Sequence, residues 1–342
     1  MQIGKTKIGD NHPTFIIAEM SANHGHDKNK AKELIYAAKE SGANAIKLQT
    51  YTADTLTLNH KSKDFFISKG PWKGQYMHDL YSLAYTPWEW HAELFELANK
   101  INLEIFSSPF DPSAVDFLEE LDVSAFKIAS PEVIDIPLIR KAAQTKKPLI
   151  ISTGSATLKQ IQEVLDCLKI EKLKNFALLK CTSEYPAPPE DIHLKTIAHM
   201  KEEFKCIVGL SDHTMGIGVP VASIAFGAKI IEKHFVMDRS DITADSFFSA
   251  TPEEMKLLVE NVRIVEKAIG NVSYPAQKTP AKRSLIAIND VLKGDLLSDK
   301  NIKSLRPGGG IEPKYSDQII NKYKASKDIL KGSLLQWEMI QE

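Results

Sequence analysis

Short apolar runs alternate with longer amphipathic stretches along most of this chain of 342 residues. The amphipathic stretches place apolar residues three and four positions apart, which predicts helices, whereas the apolar runs have the length of buried strands. The predicted strands are 15–20, 45–50, 104–107, 125–129, 148–152, 176–181, 207–210 and 229–234, and the clearest predicted helices are 28–40, 88–100, 112–121, 157–168 and 252–269.

Strands that alternate with helices pair in parallel through right-handed crossovers. Eight such units predict an α/β fold in which residues 1–270 form a TIM (β/α)8 barrel rather than an open doubly wound sheet. Polar side chains follow most of the apolar runs, while the starts of the runs are aliphatic. Because ligands bind at the carboxyl ends of barrel strands, we expect an active site there.

One segment interrupts this alternation. Residues 51–87 carry no clear strand or helix but many aromatic residues, among them Phe65, Trp72 and Tyr81. Long connections inside a compact domain are usually lids or binding loops. The alternative is an excursion that covers the outside of the barrel, and the sequence favours neither.

The pattern changes again after Gly270. Residues 271–282 contain two prolines and no apolar periodicity, so we predict a linker. Residues 283–342 contain a weak repeat, VLKGDLL and ILKGSLL, with Lys-Gly turns. They predict a small β-rich domain.

Composition narrows the functional class. The net charge is −1 and 43% of the residues are hydrophobic, as in ordinary globular proteins. Without basic blocks or long apolar runs, we expect no nucleic-acid partner and no membrane association. The three cysteines have no CxxC spacing, which favours the reducing cytoplasm.

Two histidines end the last two predicted strands, with one predicted helix over 216–227 between them. His213 follows Ser-Asp and His234 follows Glu-Lys, so both imidazoles are expected over one cleft. Two imidazoles with Glu19 and Asp245 nearby favour a labile Mn²⁺ or Mg²⁺ with open positions over a structural zinc ion.

Lysines, serines and carboxylates end the other predicted strands. Lys47 and Lys127 among Ser108, Ser130, Ser152, Ser183 and Ser211 predict a site for a small polyanion, such as a phosphate ester with a carboxylate. A Schiff-base lysine is the alternative, with Lys180 as its candidate. Glu19 and Glu132 could act as acid or base if burial raises their pKa. For Glu232 we favour a supporting role.

Motifs in sequence order resemble the sialic acid synthase family, the enzymes that make nonulosonic acids. The matching stretches are IIAEMSANHG at 16–25, AIKLQTY at 45–51, FSSPF at 106–110, FKIASPE at 126–132, ISTGSAT at 151–157, LKCTSEYP at 179–186, GLSDHT at 209–214 and IIEKHF at 230–235. KRSLIA at 282–287 and SLRPGGGI at 304–311 resemble the family's antifreeze-like module, called SAF.

The resemblance implies a metal-dependent condensation of phosphoenolpyruvate with an open-chain aminosugar aldehyde. It implies that His213 and His234 bind the metal, Mn²⁺ in the first place and Mg²⁺ or Co²⁺ otherwise. It further implies that one group of residues holds phosphoenolpyruvate, namely Lys47, Ser108, Lys127, Ser130, Ser152, Ser183 and Ser211. A second group would line the sugar and water sites, namely Glu19, Gln49, Glu132, Tyr185 and Asp245.

Finer details of the motifs imply the subgroup and the assembly. KGPW at 69–72, TPWEWH at 86–91 and KIAS at 127–130 look most like pseudaminic acid synthases, whose substrate is a 6-deoxy diacetamido altrose. N-acetylneuraminate and legionaminate synthases are the alternatives within the family, although they have Asn where this chain has Ser183. A Schiff-base aldolase or a non-enzymatic sugar-phosphate sensor is the alternative outside it. Arg306 would enter the barrel of a partner subunit in a domain-swapped homodimer.

Overall fold

The computed structural model describes residues 1–274 and 282–342. The chain divides into two compact units, Met1–Gly270 and Asn271–Glu342. Most of the predicted linker, at 275–281, lies outside the described residues.

The first unit is a closed barrel of eight parallel strands that follows a small antiparallel hairpin, β1 (Gln2–Ile3) and β2 (Thr6–Lys7). Each barrel strand pairs with the next in sequence, and the last pairs with the first. The predicted TIM barrel is therefore confirmed. Its strands are β3 (Phe15–Glu19), β4 (Ala45–Thr50), β5 (Glu104–Pro109), β6 (Phe126–Ile128), β7 (Leu149–Ser152), β8 (Phe176–Cys181), β9 (Ile207–Asp212) and β10 (Ile230–His234).

Helices surround the barrel, and their ends follow local capping chemistry. The side chain of Asp27 accepts a hydrogen bond from the backbone N–H of Asn29 at 2.8 Å and so caps α1. Thr251 and Glu254 form a capping box at the start of α10. The helices are α1 (Lys28–Glu40), α2 (Ala53–Leu56), α3 (Met77–Ala84), α4 (His91–Lys100), α5 (Pro112–Glu120), α6 (Ile136–Gln144), α7 (Leu158–Ile170), α8 (Lys195–Phe204), α9 (Gly218–Ser223) and α10 (Pro252–Ile269).

The helix expected over 216–227 is shorter than predicted. It consists of α9 and a 3-10 turn at Ile224–Phe226. Gly216, with φ +73°, stands outside the helix, and Gly227, with φ +94°, ends the turn. Glycine favours such left-handed positions and weakens helix interiors, which explains the loss at both ends.

The aromatic insertion at 51–87 contains the short helices α2 and α3 and a bridge between Phe66 and Tyr76. Its side chains reach the carboxyl ends of the strands, where Ile67, Trp72 and Tyr81 line the central cavity. The insertion therefore forms part of the cavity wall and is not merely an outer cover, whereas its role in binding stays a prediction.

The second unit has its own small core, which includes Leu285, Leu297 and Leu335. Its two antiparallel strand pairs and one short helix agree with the predicted β-rich domain. They are β11 (Ser284–Ala287) with β12 (Ile302–Leu305), β13 (Lys324–Ala325) with β14 (Ile340–Gln341), and α11 (Ser316–Ile319). In the described parts of both units, no helix has the length and apolar character to cross a membrane.

Candidate active site

A cavity of about 390 Å³ opens at the carboxyl ends of the barrel strands. Most of the predicted site residues line it. They are Glu19, Lys47, Gln49, Lys127, Ser130, Ser152, Tyr185, Ser211, His213, His234 and Asp245. Alternate residues on a barrel strand face the interior, which explains why pairs such as Lys47 and Gln49 arrive together.

Lys47 forms one side of the cavity floor. Its Nζ lies 2.8 Å from Glu19 Oε2 and donates a hydrogen bond to Ser108 Oγ at 3.0 Å. Ser108 is fully buried and is not part of the cavity lining, so it contacts the lysine rather than the open space. Its direct contact with substrate stays a prediction.

Lys127 forms the other side of the floor, where its Nζ donates to Ser152 Oγ at 2.6 Å. The carboxylate of Glu232 lies between the two lysines, with Oε1 3.6 Å from Lys47 Nζ and 3.8 Å from Lys127 Nζ. The sequence interpretation understated Glu232, which lines the cavity itself. Its shared strand face with His234 was the signal that could have placed it there.

Burial and close contacts shift the pKa values of all four ionisable groups of the floor. Burial opposes ionisation of Glu232, but Lys127 and Lys47 outweigh it and lower the pKa of that carboxyl. Burial raises the pKa of Glu19 to about 7, although Lys47 opposes the shift. The carboxylates of Glu19 and Glu232 raise the pKa of Lys47 despite its burial. Burial lowers the pKa of Lys127, although Glu232 opposes the shift. An anionic ligand beside the two lysines would favour their charged forms.

Small residues form a second polar region beside this floor. The backbone N–H of Gly154 donates to Ser130 Oγ at 3.0 Å. A Cβ at Gly154 would lie 2.9 Å from Ser130 Oγ and 2.7 Å from Ser183 Oγ, so a larger residue would require these hydroxyls to move. Ser183 is exposed and outside the cavity lining, with its Oγ 3.4 Å from Ser155 Oγ. Its direct contact with substrate stays a prediction.

The two histidine rings lie side by side in the cavity wall in an edge-to-face arrangement, with ring centroids 5.3 Å apart. The carbonyl of Thr182 accepts from His213 Nδ1 at 2.8 Å, so that nitrogen carries a proton. Burial opposes protonation of His213, but Cys181 and Thr182 outweigh it and raise its pKa; in the neutral form Nε2 has a free lone pair. Burial, reinforced by nearby cations, lowers the pKa of His234 well below its ordinary value. Among the residues that the structure describes, its buried Nδ1 has no hydrogen-bond partner, and it lies 3.6 Å from Asp245 Oδ2.

These donors suit a divalent metal that keeps open positions. A neutral imidazole is the form that binds metal ions, and the unpartnered Nδ1 of His234 is a free donor in the cavity wall. Among residues 1–274 and 282–342, no group of three or more His, Cys, Asp and Glu side chains is arranged to hold a metal. The protein would therefore supply two ligands, with water or substrate supplying the others.

Two further titratable groups lie near the cavity. Burial raises the pKa of Glu132 to about 7, and its Oε2 has no hydrogen-bond partner among the described residues. Glu132 stands just behind the cavity wall at Pro131 rather than in it. Cys181, which the sequence interpretation missed, lines the cavity. Burial opposes ionisation of its thiol, but contact with His213 outweighs burial and lowers its pKa to about 7.

The insertion adds an apolar wall that the sequence could not place. Ile67, Met77 and Leu80 line it. Trp72 closes its edge, because the indole Nε1 donates to the carbonyl of Ala244 at 2.8 Å and the ring packs against Tyr185.

Two predicted candidates lie elsewhere. Lys180 points to the outer side of the barrel, where its Nζ donates to the carbonyl of Cys181 at 2.7 Å and to Thr182 Oγ1 at 3.1 Å. It is not part of the central cavity, which argues against a Schiff base at this residue. Arg306 lies in the second unit, directly after β12, with an exposed side chain.

Two family models match this chain, the NeuB family over residues 34–274 and the SAF domain over residues 282–341. Two pseudaminic acid synthases are each 44% identical to it. The protein from Campylobacter jejuni matches over 98% of both chains, and the protein from Helicobacter pylori over 92% of this chain and 94% of its own. A solved N-acetylneuraminic acid synthetase from Leptospira borgpetersenii is 33% identical, with a TM-score of 0.73, over 81% of this chain and 92% of its own.

Proposed function

The chain belongs to the NeuB family of sugar acid synthases, and on that basis we propose that it catalyses the pseudaminic acid synthase reaction. In this reaction phosphoenolpyruvate, water and 2,4-diacetamido-2,4,6-trideoxy-L-altrose give pseudaminate and phosphate. Two observations support the choice within the family. Identity is 44% to pseudaminic acid synthases against 33% to the solved N-acetylneuraminic acid synthetase, and the sugar side of the cavity has an apolar wall.

The floor of the cavity carries the proposal. Lys47 and Lys127 lie on either side of Glu232, with serine hydroxyls beside them. Such a floor suits a small molecule with two anionic groups, and phosphoenolpyruvate has a carboxylate and a phosphate. Burial makes each ammonium group more effective than it would be in water, because the local dielectric is low.

The reaction joins C3 of phosphoenolpyruvate to the aldehyde carbon of the sugar. In our proposal Lys47 and Lys127 hold the phosphoenolpyruvate, while Gln49 and Tyr185 orient the sugar chain. A divalent cation on His213 and His234, which we expect to be Mn²⁺, would polarise the aldehyde oxygen when it is bound.

Water then adds at C2, and the tetrahedral carbon loses phosphate as its C–O bond breaks. The lysines stay paired with the anionic groups until phosphate leaves. We assign the proton transfers to Glu19 and Glu132, since a carboxyl with a pKa of about 7 can both give and accept a proton at neutral pH. Asp245 is assigned to the sugar and water side of the same cavity.

Phosphate release from phosphoenolpyruvate, measured with each candidate aminosugar in turn, tests the proposal. We expect turnover with the 6-deoxy diacetamido altrose and far less with N-acetylmannosamine or the legionaminate precursor. Preference for either of the other sugars would assign the chain to that branch of the family. Full activity in the presence of a chelator would exclude the metal role, and a borohydride-trapped adduct would restore the aldolase alternative.

We further propose a domain-swapped homodimer in the cytoplasm, where phosphoenolpyruvate is available. In this assembly Arg306 would complete the active site of the partner subunit. An exposed arginine in a turn suits this role because its planar guanidinium can pair with a carboxylate or a phosphate.

A further inference from the structure

A buried ion pair lies on the outer face of the strands that carry the two imidazoles. Asp212 of β9 and Lys233 of β10 are register partners, and Lys233 Nζ lies 2.6 Å from Asp212 Oδ2. Their side chains are at most 2% exposed. On the inner face of the same strands, the flanking residues Ser211, His213 and His234 line the cavity.

The pair also holds the backbone that follows His213. Lys233 Nζ donates to the carbonyl of Thr214 at 2.6 Å. Asp212 Oδ1 accepts from the backbone N–H of Thr214 at 3.2 Å and from its hydroxyl at 2.9 Å. Thr214 is fully buried, so the peptide groups on both sides of its Cα are held by one ion pair.

His213 therefore stands between two fixed residues. Asp212, the residue before it, is paired in the sheet, and Thr214, the residue after it, is held by the ion pair. The carbonyl of His213 itself accepts from the N–H of Ala187 at 3.0 Å. With the backbone held, the bond from Nδ1 to the Thr182 carbonyl at 2.8 Å sets the direction in which Nε2 points. Lys233 pairs with Asp212 in the sheet and directly precedes His234. The ion pair between Asp212 and Lys233 therefore also fixes where β10 presents its imidazole.

We propose that Asp212 and Lys233 are positioning residues for the imidazole pair, which they align from the opposite face of the barrel wall. This inference rests on the proposed function, because it assigns the pair to the use of His213 and His234 in that reaction. The alternative is a purely structural ion pair whose loss lowers stability and nothing else.

The first test replaces both charges by apolar residues of similar size, Asp212→Leu with Lys233→Met. Replacing a whole buried pair in this way is often neutral for stability, whereas removing one partner is not. Here the N–H, hydroxyl and carbonyl of buried Thr214 also lose their partners, so we expect the midpoint of thermal unfolding to fall about as far as in the control variant below. Mn²⁺ affinity, followed by electron paramagnetic resonance of the free ion, and kcat should each fall about 10- to 100-fold, the usual effect of losing a group that orients a metal ligand.

The second test exchanges the charges, Asp212→Lys with Lys233→Asp. This variant keeps an ion pair but presents the wrong groups to Thr214, since a carboxylate cannot donate to its carbonyl. Compared with the double apolar variant, the midpoint of thermal unfolding should return further towards the wild-type value than kcat or Mn²⁺ affinity does. The conservative variant Lys233→Arg keeps a donor for both partners and should retain most of the activity.

A matched control lies at the opposite end of the barrel. Arg263 and Glu266 form an ion pair at 3.1 Å, and they bond the carbonyl and the N–H of Thr14. Arg263→Met with Glu266→Leu should change stability while leaving kcat and Mn²⁺ affinity as in the wild type.

The outcomes separate the two proposals. If the double apolar variant keeps wild-type kcat and Mn²⁺ affinity, or loses them only as far as the control does, the positioning role is wrong. If the wild-type protein turns over but binds no Mn²⁺, the metal role in the proposed function fails instead, and kcat of the same variants then decides the positioning role.

Discussion

At the scale of single residues, the cavity floor shows how one carboxylate balances two cations. Glu232 keeps Lys47 and Lys127 close together in a buried place, where two unpaired ammonium groups would repel each other. When an anionic substrate arrives, it meets charge that is already fixed in direction. Little reorganisation is then needed during the reaction.

Loss of one floor cation should weaken phosphoenolpyruvate binding. We expect Lys127→Gln to lower kcat/KM for phosphoenolpyruvate at least 100-fold, because the amide keeps a donor near Ser152 but carries no charge. Steady-state kinetics with saturating aminosugar measures the effect. Lys180→Gln, on the outer side of the same barrel, is the matched control and should stay within about twofold. Equal losses in both variants would contradict this assignment.

Glu132 should destabilise the folded protein at high pH. Burial raises its pKa to about 7 in the folded state, so folding favours the protonated carboxyl. The stabilisation that this raised pKa gives the folded protein is complete at pH values below the unfolded pKa near 4.5. It is lost as the pH rises through 7. We expect Glu132→Gln to gain up to about 3 kcal/mol of unfolding free energy at pH 8 over wild type.

Denaturant unfolding at pH 5 and pH 8 measures this gain. The advantage of Glu132→Gln should be small at pH 5, where the wild-type carboxyl is protonated. The same substitution should slow turnover, because the amide cannot exchange a proton. A constant difference between the variants at both pH values would contradict the pKa assignment.

At the scale of elements, the sequence predicted the regular parts better than the irregular ones. The strands and α1 follow from apolar periodicity, which is local in the chain. Strand parity also placed Lys47, Gln49 and His234 in the cavity. The position of the insertion could not be predicted in this way, since it depends on distant contacts such as the bond from Trp72 to Ala244. Parity alone did not predict the bond from Lys47 Nζ to the hydroxyl of Ser108, because this contact joins two different strands.

The insertion should govern binding of the sugar rather than of phosphoenolpyruvate. Trp72 packs against Tyr185, which we assign to the sugar. We expect Trp72→Ala to raise KM for the aminosugar about tenfold, because an apolar and hydrogen-bonded wall is lost. KM for phosphoenolpyruvate should change little.

Leu83 provides the control for this prediction. It lies in the same insertion and is 71% exposed, so Leu83→Ala should leave both KM values unchanged. Initial rates with each substrate varied in turn measure the effects. A rise in KM for phosphoenolpyruvate alone after Trp72→Ala would show that the wall serves the other substrate.

At the scale of the whole molecule, each unit has a hydrophobic core of its own. The first unit contains every residue of the cavity, whereas Arg306 belongs to the second. We expect Arg306→Ala to lower kcat at least tenfold without lowering the unfolding temperature of the barrel. Arg283→Ala, at another exposed position of the second unit, is the control.

Mixed subunits would test the swapped assembly. If Arg306 serves a partner's site, unfolding and refolding Lys127→Gln together with Arg306→Ala should restore about a quarter of wild-type activity, since half of the dimers are mixed and each has one complete site. No recovery on mixing would place Arg306 in its own subunit's site or outside the reaction.

Closure of the barrel joins β3, near the start of the chain, to β10, more than two hundred residues later, with Glu19 opposite His234. During synthesis, the strands from β3 to β9 therefore emerge with two unpaired edges, and such edges invite association between chains. Glu19 and His234 meet only when β10 docks, so the catalytic cavity is completed by the last and most distant pairing. Contacts this far apart in sequence make folding slow. A newly made chain thus gains its chemistry at the same step at which it loses its tendency to aggregate.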